Sequence, residues 1–132
     1  MVVSPDGSVA GSVSGGCVEA AVYEISNDVV ATGRPELQSY GVSDDDAFAV
    51  GLTCGGTIEV FTEAVSRTTF PQLSSVAEDI AAHRAVAVAT IIDHPDSTRV
   101  GLRLIVGTDS AQGSLGSARA VEWTAGLVRA SG

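Results

Sequence analysis

The chain has 132 residues, of which 45% are apolar, and its charged residues give a net charge of −9. This length and composition suit a folded globule with one core. The negative charge repels nucleic acid and anionic membranes, and no apolar run approaches the ~20 residues of a membrane-spanning helix. Because the start, MVVSPDG, carries no secretion signal, we expect a cytoplasmic protein that binds neither nucleic acid nor membrane.

Few side chains in this sequence are suited to chemistry. There is no lysine, so neither a phosphate-loop lysine nor a Schiff base is available. The two cysteines do not make a disulfide framework, and no pair of cysteines or histidines has the spacing of a structural zinc site. Three consecutive acids, Asp44, Asp45 and Asp46, fit a solvated loop better than a metal site, because neighbouring side chains point in different directions.

Strands and helices are predicted in turn along the first half of the chain. Residues 1–3 and 9–13 are predicted strands joined by a turn, and residues 36–40 and 57–63 are two more. Between these pairs a helix is predicted from Gly16 until Gly33 ends it, with Ser14 or Gly15 as its cap and Glu19 in its first turn. Its apolar face consists of Val18, Ala21, Val22, Ile25, Val29 and Val30.

The second half of the chain is predicted to continue in the same way. A helix is expected from residue 70 to about residue 83, with Leu73, Val76 and Ile80 facing inward. Apolar strands are expected at 86–92 and 99–106, with a turn at 94–96 between them. The last helix, at about 118–130, is expected to place Trp123 in the core.

The end of the chain resembles its beginning. MVVSPDGSVAGSVSGG aligns with LIVGTDSAQGSLGSAR at residues 104–119 with one gap, and each copy runs into a helix of similar length. A strand precedes the second copy and not the first. We therefore expect either that the chain is a fragment of a longer protein, or that a sheet edge is left open that another chain, such as a second copy in a homodimer, could fill. We predict an α+β fold, with two related strand–strand–helix units around a mixed β-sheet, in a single domain of residues 1–132.

Both cysteines lie beside pairs of glycines, Cys17 in SVSGGCVEAA and Cys54 in GLTCGGT. A thiol at the start of a helix feels the positive end of the helix dipole, which favours the thiolate. Glycines permit positive φ, so their N–H groups can converge on an anion. The glycines concerned are Gly15, Gly16, Gly55 and Gly56. If the two loops meet, they form a pocket for an anionic, sulfur-bearing or metal-bearing ligand.

A purely structural interpretation of these loops also stays open. Cysteine is among the residue types most often buried, and glycine pairs are common in tight turns. Neither a dinucleotide fingerprint nor a catalytic triad can be argued from the spacing of the residues.

At these loops the sequence resembles a known family. GSVSGGCVEAAVYE, ATGRPELQSYGVSDDDAFAVGLTCGGTIEVF and GLRLIVGTDSAQGSLG are similar to the XdhC/CoxI family, accessory proteins for maturation of molybdenum hydroxylases such as xanthine dehydrogenase and carbon monoxide dehydrogenase. The resemblance implies a protein that binds molybdenum cofactor, assists its sulfuration and hands it to the apoenzyme. It also implies a further N-terminal strand and a C-terminal Rossmann-like domain, which residues 1–132 do not contain.

The resemblance leads to a specific expectation for function. Cys17 and Cys54 are expected to contact the molybdenum centre or its sulfur, and the four glycines beside them to hold the phosphate or the pterin edge. The expected partners are a molybdenum hydroxylase apoenzyme and a sulfur donor of the cysteine desulfurase type. We expect a cofactor-insertion chaperone rather than an enzyme with turnover. The alternatives are a thiol-dependent sulfur transferase with a persulfide on Cys17, and a non-catalytic interaction domain with an open sheet edge.

Overall fold

The computed structural model describes residues 1–41 and 56–130, and within them the fold is α+β, as predicted. The chain divides into two compact units, Met1–Ala64 and Val65–Gly132. The described strands form three small sheets in which every pairing is antiparallel. The mixed sheet that we expected is therefore not found within the described residues. No helix in residues 1–41 and 56–130 combines the length and the apolar character needed to cross a membrane.

Within residues 1–41 and 56–64, the first unit contains two antiparallel strand pairs, here called ladders, and one helix. Its elements are β1 (Val2–Val3), β2 (Val9–Ala10), α1 (Glu19–Thr32), β3 (Glu36–Tyr40) and β4 (Ile58–Thr62). In the first ladder Val3 pairs with Val9, and in the second Tyr40 pairs with Ile58. The predicted strand at 9–13 is shorter than expected, since the chain leaves β2 after Ala10 and enters the loop before α1.

The core of the first unit lies between α1 and the second ladder. Val18, Val22 and Tyr40 are buried together, and Ile58 packs against them from β4. Val18, Val22, Ile25 and Val29 recur at helical spacing, which is why this face of α1 is covered. Val30 lies one position off that face and is 61% exposed, so the prediction that it shares the face was wrong.

Helix α1 ends at the predicted residue. Gly33 adopts a left-handed conformation with φ of 69°, and its N–H donates to the Val29 carbonyl at 2.8 Å. Glycine is favoured at this position because it has no side chain to clash at positive φ. At the other end α1 begins at Glu19, later than the predicted start at Gly16, and its capping residue Val18 contributes no side-chain hydrogen bond.

The second unit contains a three-stranded sheet and two helices. Its elements are α2 (Leu73–Ala81), β5 (Val86–Thr90), a one-turn 3₁₀ helix (Ser97–Arg99), β6 (Arg103–Gly107), β7 (Ala111–Gly113) and α3 (Ala118–Ala130). The strand order is β5-β6-β7, and β6 is central. Leu104 and Val106 of this strand are buried with Leu115 and Ala125, which attaches α3 to the sheet.

Helix α2 packs beside a second cluster in this unit. Phe70, Val76 and Ile105 are buried together. The guanidinium of Arg103, which is itself buried, lies 4.1 Å from the centre of the Phe70 ring, a distance typical of a cation–π contact. Leu73 and Ile80, one turn to either side of Val76, are exposed, so the prediction that both face inward was wrong. The cluster covers only about one turn of this short helix.

The prediction for Trp123 was also wrong, because its side chain is 69% exposed. Ala125 is the buried residue of α3. Two residues along a helix correspond to a rotation of about 200°, which places Trp123 on the opposite face from Ala125. The helix therefore uses its small residues against the sheet, and the large apolar side chains Trp123 and Leu127 face away from it.

Candidate functional site

The loop between β2 and α1 holds three of the predicted site residues, and we call residues 12–17 the cysteine loop. Gly15 and Gly16 have φ values of 77° and 117°, which side chains rarely tolerate. A Cβ atom at either position would meet nothing within 4 Å, so backbone conformation and not crowding requires glycine. Both residues thus adopt the positive φ that glycine permits.

The N–H groups of the cysteine loop converge on one anion, which is the carboxylate of Glu19. Oε1 accepts from three backbone N–H groups and a hydroxyl at 2.6–3.1 Å, and Oε2 accepts from one N–H and one hydroxyl, both at 2.8 Å. The donors are the N–H groups of Val13, Ser14, Gly15 and Gly16 and the hydroxyls of Ser12 and Ser14. Successive N–H groups that point to one side form an anion-binding nest.

These contacts strongly favour the ionised form of Glu19. The hydroxyl of Ser12 and then the N–H and hydroxyl of Ser14 hold the pKa of the Glu19 carboxyl well below its ordinary value of 4.5. The carboxylate also belongs to the first residue of α1, where a negative charge is stabilised by the helix dipole. The positive potential expected at this helix start is therefore already balanced by a charge from the same chain.

Ser14 connects the carboxylate to Cys17. Its hydroxyl donates to Glu19 Oε2 and accepts from the N–H groups of Cys17 and Val18, each at 3.0 Å. The Ser14 hydroxyl thus holds the two residues that precede α1, whereas the capping residue is Val18, so the prediction of Ser14 or Gly15 as the cap was wrong. The Cys17 side chain is half-buried and packs against the core that contains Val18 and Tyr40.

The predicted convergence of the two cysteine loops concerns residues that the structure describes only in part. Cys54 and Gly55 lie outside the described residues, as do Asp44, Asp45 and Asp46. Gly56 is exposed and precedes β4, and its carbonyl oxygen lies close to Gly41 at the end of the second ladder. Roles in cofactor binding for Gly15, Gly16, Cys17, Cys54, Gly55 and Gly56 stay predictions.

Metal binding by several side chains is not found within residues 1–41 and 56–130, where no three histidine, cysteine or acidic residues are grouped closely enough to hold an ion. A surface depression of about 550 Å³ lies at the start of α2 and is lined by Arg67, Phe70 and Leu73 among others. It contains none of the predicted site residues. The cysteine loop is therefore the candidate site that the described residues support best.

Sequence reasoning placed Glu19 in the first turn of the helix and missed the function of Ser12. The available signal was the spacing in SVSGGCVE, where two serines and two glycines precede an acid at the first helical position. Glycine permits positive φ at both positions, which lets successive N–H groups of the loop face a carboxylate there. The two observations together would have indicated the nest.

Comparison with known proteins supports the resemblance at this end of the chain. Residues 1–41 match the model of the XdhC and CoxI family. Over 61 residues the chain is also 39% identical to a protein of Escherichia coli (strain K12) that is called Uncharacterized protein YqeB. That stretch is 46% of this chain and 11% of the relative, so the chain spans a small part of the relative's length. The part of the chain that matches this family model, residues 1–41, includes the whole cysteine loop, and the match agrees with the resemblance.

Proposed function

We propose that the chain takes part in the maturation of a molybdenum hydroxylase, as a domain that binds molybdenum cofactor as cargo and passes it to the apoenzyme. The family match over residues 1–41 is the observation that carries this proposal. It covers β1, β2, the cysteine loop, α1 and β3, so the part of the chain with the clearest family sequence is also the part with the candidate site. A sulfur donor of the cysteine desulfurase type is the proposed second partner.

The cysteine loop offers the cargo a thiol on a fixed backbone. Cys17 is half-buried, and a thiolate is a soft ligand that suits a molybdenum centre or its sulfur. The amides of Gly15 and Gly16 already donate to Glu19. We therefore assign the contact with the cargo first to Cys17, and contact with these two glycines requires the Glu19 carboxylate to move.

The proposed participation of Cys54 follows from the described flank of its loop. Tyr40 and Ile58 pair with each other and pack in the same cluster as Cys17. Ile58 is four residues after Cys54, a length of chain that spans at most about 14 Å. The limit does not fix a position for Cys54, and we propose that the two thiols share a cleft with Gly55 and Gly56 beside it.

The related strand–strand–helix units belong to the same proposal. In each half, a short hairpin leads into a long helix: β1–β2 into α1 and β6–β7 into α3. The aligned glycines Gly11 and Gly113 both have positive φ, 78° and 107°, at the point where each hairpin leaves its second strand. These shared features support the view that the two segments are copies of one unit.

Cofactor retention tests the proposed function. The chain is produced in molybdenum-replete cells, purified, and assayed for bound pterin by fluorescence after oxidation. We expect bound pterin in the native chain, a several-fold loss in Cys17→Ala, and a larger loss in the Cys17→Ala/Cys54→Ala double variant.

Cys17→Ser is the matched control for the thiol, because it keeps a small polar side chain and removes the soft ligand. A loss in Cys17→Ser equal to that in Cys17→Ala, with unchanged thermal midpoints, would assign the effect to sulfur. Full pterin retention in the double variant would remove the thiols from the proposal, and absence of pterin from the native chain would contradict cofactor binding by these residues.

A further inference from the structure

The hydroxyl of Ser14 makes all the hydrogen bonds that it can. A serine hydroxyl has one proton to donate and two lone pairs to accept with. In the cysteine loop the proton goes to Glu19 Oε2 at 2.8 Å, and the lone pairs take the N–H groups of Cys17 and Val18 at 3.0 Å. A group whose three positions are all used has a fixed orientation, so the backbone at Cys17 is held by Ser14.

The orientation of Ser14 depends on the charge of Glu19. An ionised carboxylate only accepts, which forces the Ser14 proton towards it and leaves both lone pairs for the backbone. Glutamine at position 19 has one acceptor oxygen and an NH₂ group that would face the same donors. It cannot reproduce the contacts of both carboxylate oxygens, so Ser14 would lose the partner that sets its orientation.

We propose that Glu19, acting through Ser14, is the positioning residue of Cys17 and fixes the backbone that carries this thiol before any cargo arrives. This inference rests on the proposed function for its purpose, although its geometry does not depend on the cofactor. Glu19 touches the loop and not the cargo. Its contribution is to remove the cost of ordering the cysteine loop at the moment of binding.

Thiol alkylation of the cofactor-free chain tests the proposal. In a Cys54→Ser background Cys17 is the only cysteine, and its rate of reaction with iodoacetamide is followed by mass spectrometry. We expect Glu19→Gln to raise this rate about fivefold or more, the factor given by the loss of one hydrogen bond of typical net strength. Glu24→Gln is the matched control, because Glu24 is exposed on the same helix and the charge change is identical. Its rate should stay within about twofold of the parent, well inside that factor.

Amide exchange separates positioning from general loss of stability. With the positioning role, Glu19→Gln speeds exchange at the N–H groups of Cys17 and Val18 and leaves that of Val29, in the last turns of α1, unchanged. A change of equal size at all three would mean that the variant only destabilises the helix, which would overturn the proposal.

Ser14→Ala is a second test if Glu19→Gln does not fold. It removes the hydroxyl that connects Glu19 to the backbone of Cys17, and it keeps the carboxylate. It too should speed alkylation of Cys17, and Ser14→Thr, which restores a hydroxyl, should slow it again. Parent-like alkylation rates in both Glu19→Gln and Ser14→Ala would overturn the proposal. Faster alkylation together with unchanged pterin retention would uphold the positioning role and count against the proposed function.

Discussion

At the scale of single residues, Glu19 shows how a local sequence can conceal the function of a side chain. The glycines at 15 and 16 predict positive φ from their type alone, and the structure has it. Which anion these N–H groups donate to depends on the path of the backbone from Ser12 to Glu19, and no propensity encodes that path. The sequence therefore predicted a nest for an anion, and only coordinates identify the carboxylate that occupies it.

The acid sensitivity of the first unit should depend on Glu19. Its pKa is lower in the folded chain than its ordinary value of 4.5, so the stabilisation is complete above that value and is lost as the pH falls towards the folded pKa. Glu19→Gln should therefore lower stability at about pH 6 more than at about pH 3. Urea unfolding at the two pH values measures this difference.

Two other carboxyls also affect how stability depends on pH, so the contribution of Glu19 has to be measured by comparing variants. Asp6 and Asp96 also have lowered pKa values, through hydrogen bonds from Ser8 and Thr98, and both add to the acid sensitivity of the native chain. Glu24→Gln keeps all of these contributions and should retain the native pH dependence. If Glu19→Gln retains it as well, the hydrogen bonds to Glu19 do not contribute to stability.

At the scale of elements, the end of a helix or strand was predicted best where the backbone conformation at that end favours a single residue type. Gly33 ends α1 because only glycine fits the left-handed position without strain, and α3 occupies the residues that its period predicted. The covered side of a helix was harder to predict. Val30, Ile80 and Trp123 fit an apolar pattern equally well, but the partners that would cover them are set by packing and not by local sequence.

Replacement of the glycine at either hairpin exit should lower the stability of the chain. Gly113→Ala places a Cβ against the Arg103 carbonyl oxygen at positive φ, and Gly11→Ala imposes the same backbone strain with an ordinary contact to Met1. We expect Gly11→Ala to lower the free energy of unfolding by about 1 kcal/mol through backbone strain. Gly113→Ala should lower it by about 2 kcal/mol or more, because steric overlap adds to the backbone strain. Chemical denaturation of the purified variants measures both costs.

Gly126→Ala is the control for this pair, since Gly126 lies within α3 and a Cβ there meets nothing within 4 Å. Alanine is the better helix former, so this variant should gain about 0.5–1 kcal/mol. A gain at Gly11 or Gly113 would mean that these hairpin exits do not need glycine, and it would weaken the case for a repeated unit.

At the scale of the whole molecule, the chain forms two compact units, Met1–Ala64 and Val65–Gly132, and each unit has buried clusters of its own. The buried cluster around Val18 draws its members from the first unit, and the clusters around Leu104 and Phe70 draw theirs from the second. Composition and length set only the total amount of apolar surface. How that surface divides between cores depends on contacts between residues far apart in sequence.

Because each buried cluster draws its residues from one unit, we expect a cavity in one unit to affect amide exchange in that unit only. Val18 is 0% exposed and Leu104 is 1% exposed, so truncation of each to alanine should cost about 2 kcal/mol or more through lost burial and a residual cavity. Val18→Ala should speed amide exchange in the first unit only, and Leu104→Ala in the second only. Native-state hydrogen exchange resolved by residue is the measurement, and a loss of protection throughout the chain in either variant would indicate one cooperative core.

The contacts of Glu19 have a consequence for the ancestry of the cysteine loop. Every hydrogen bond that holds the carboxylate joins residues no more than seven positions apart. Closing such a short segment has a small entropic cost, and the segment makes these hydrogen bonds without contacts from residues far away in the sequence. The spacing S-x-S-G-G-x-x-E should therefore form the same turn in unrelated proteins. A search for this motif should find the turn in front of helices in proteins that have a residue other than cysteine at the sixth position of the motif and that carry no metal cargo.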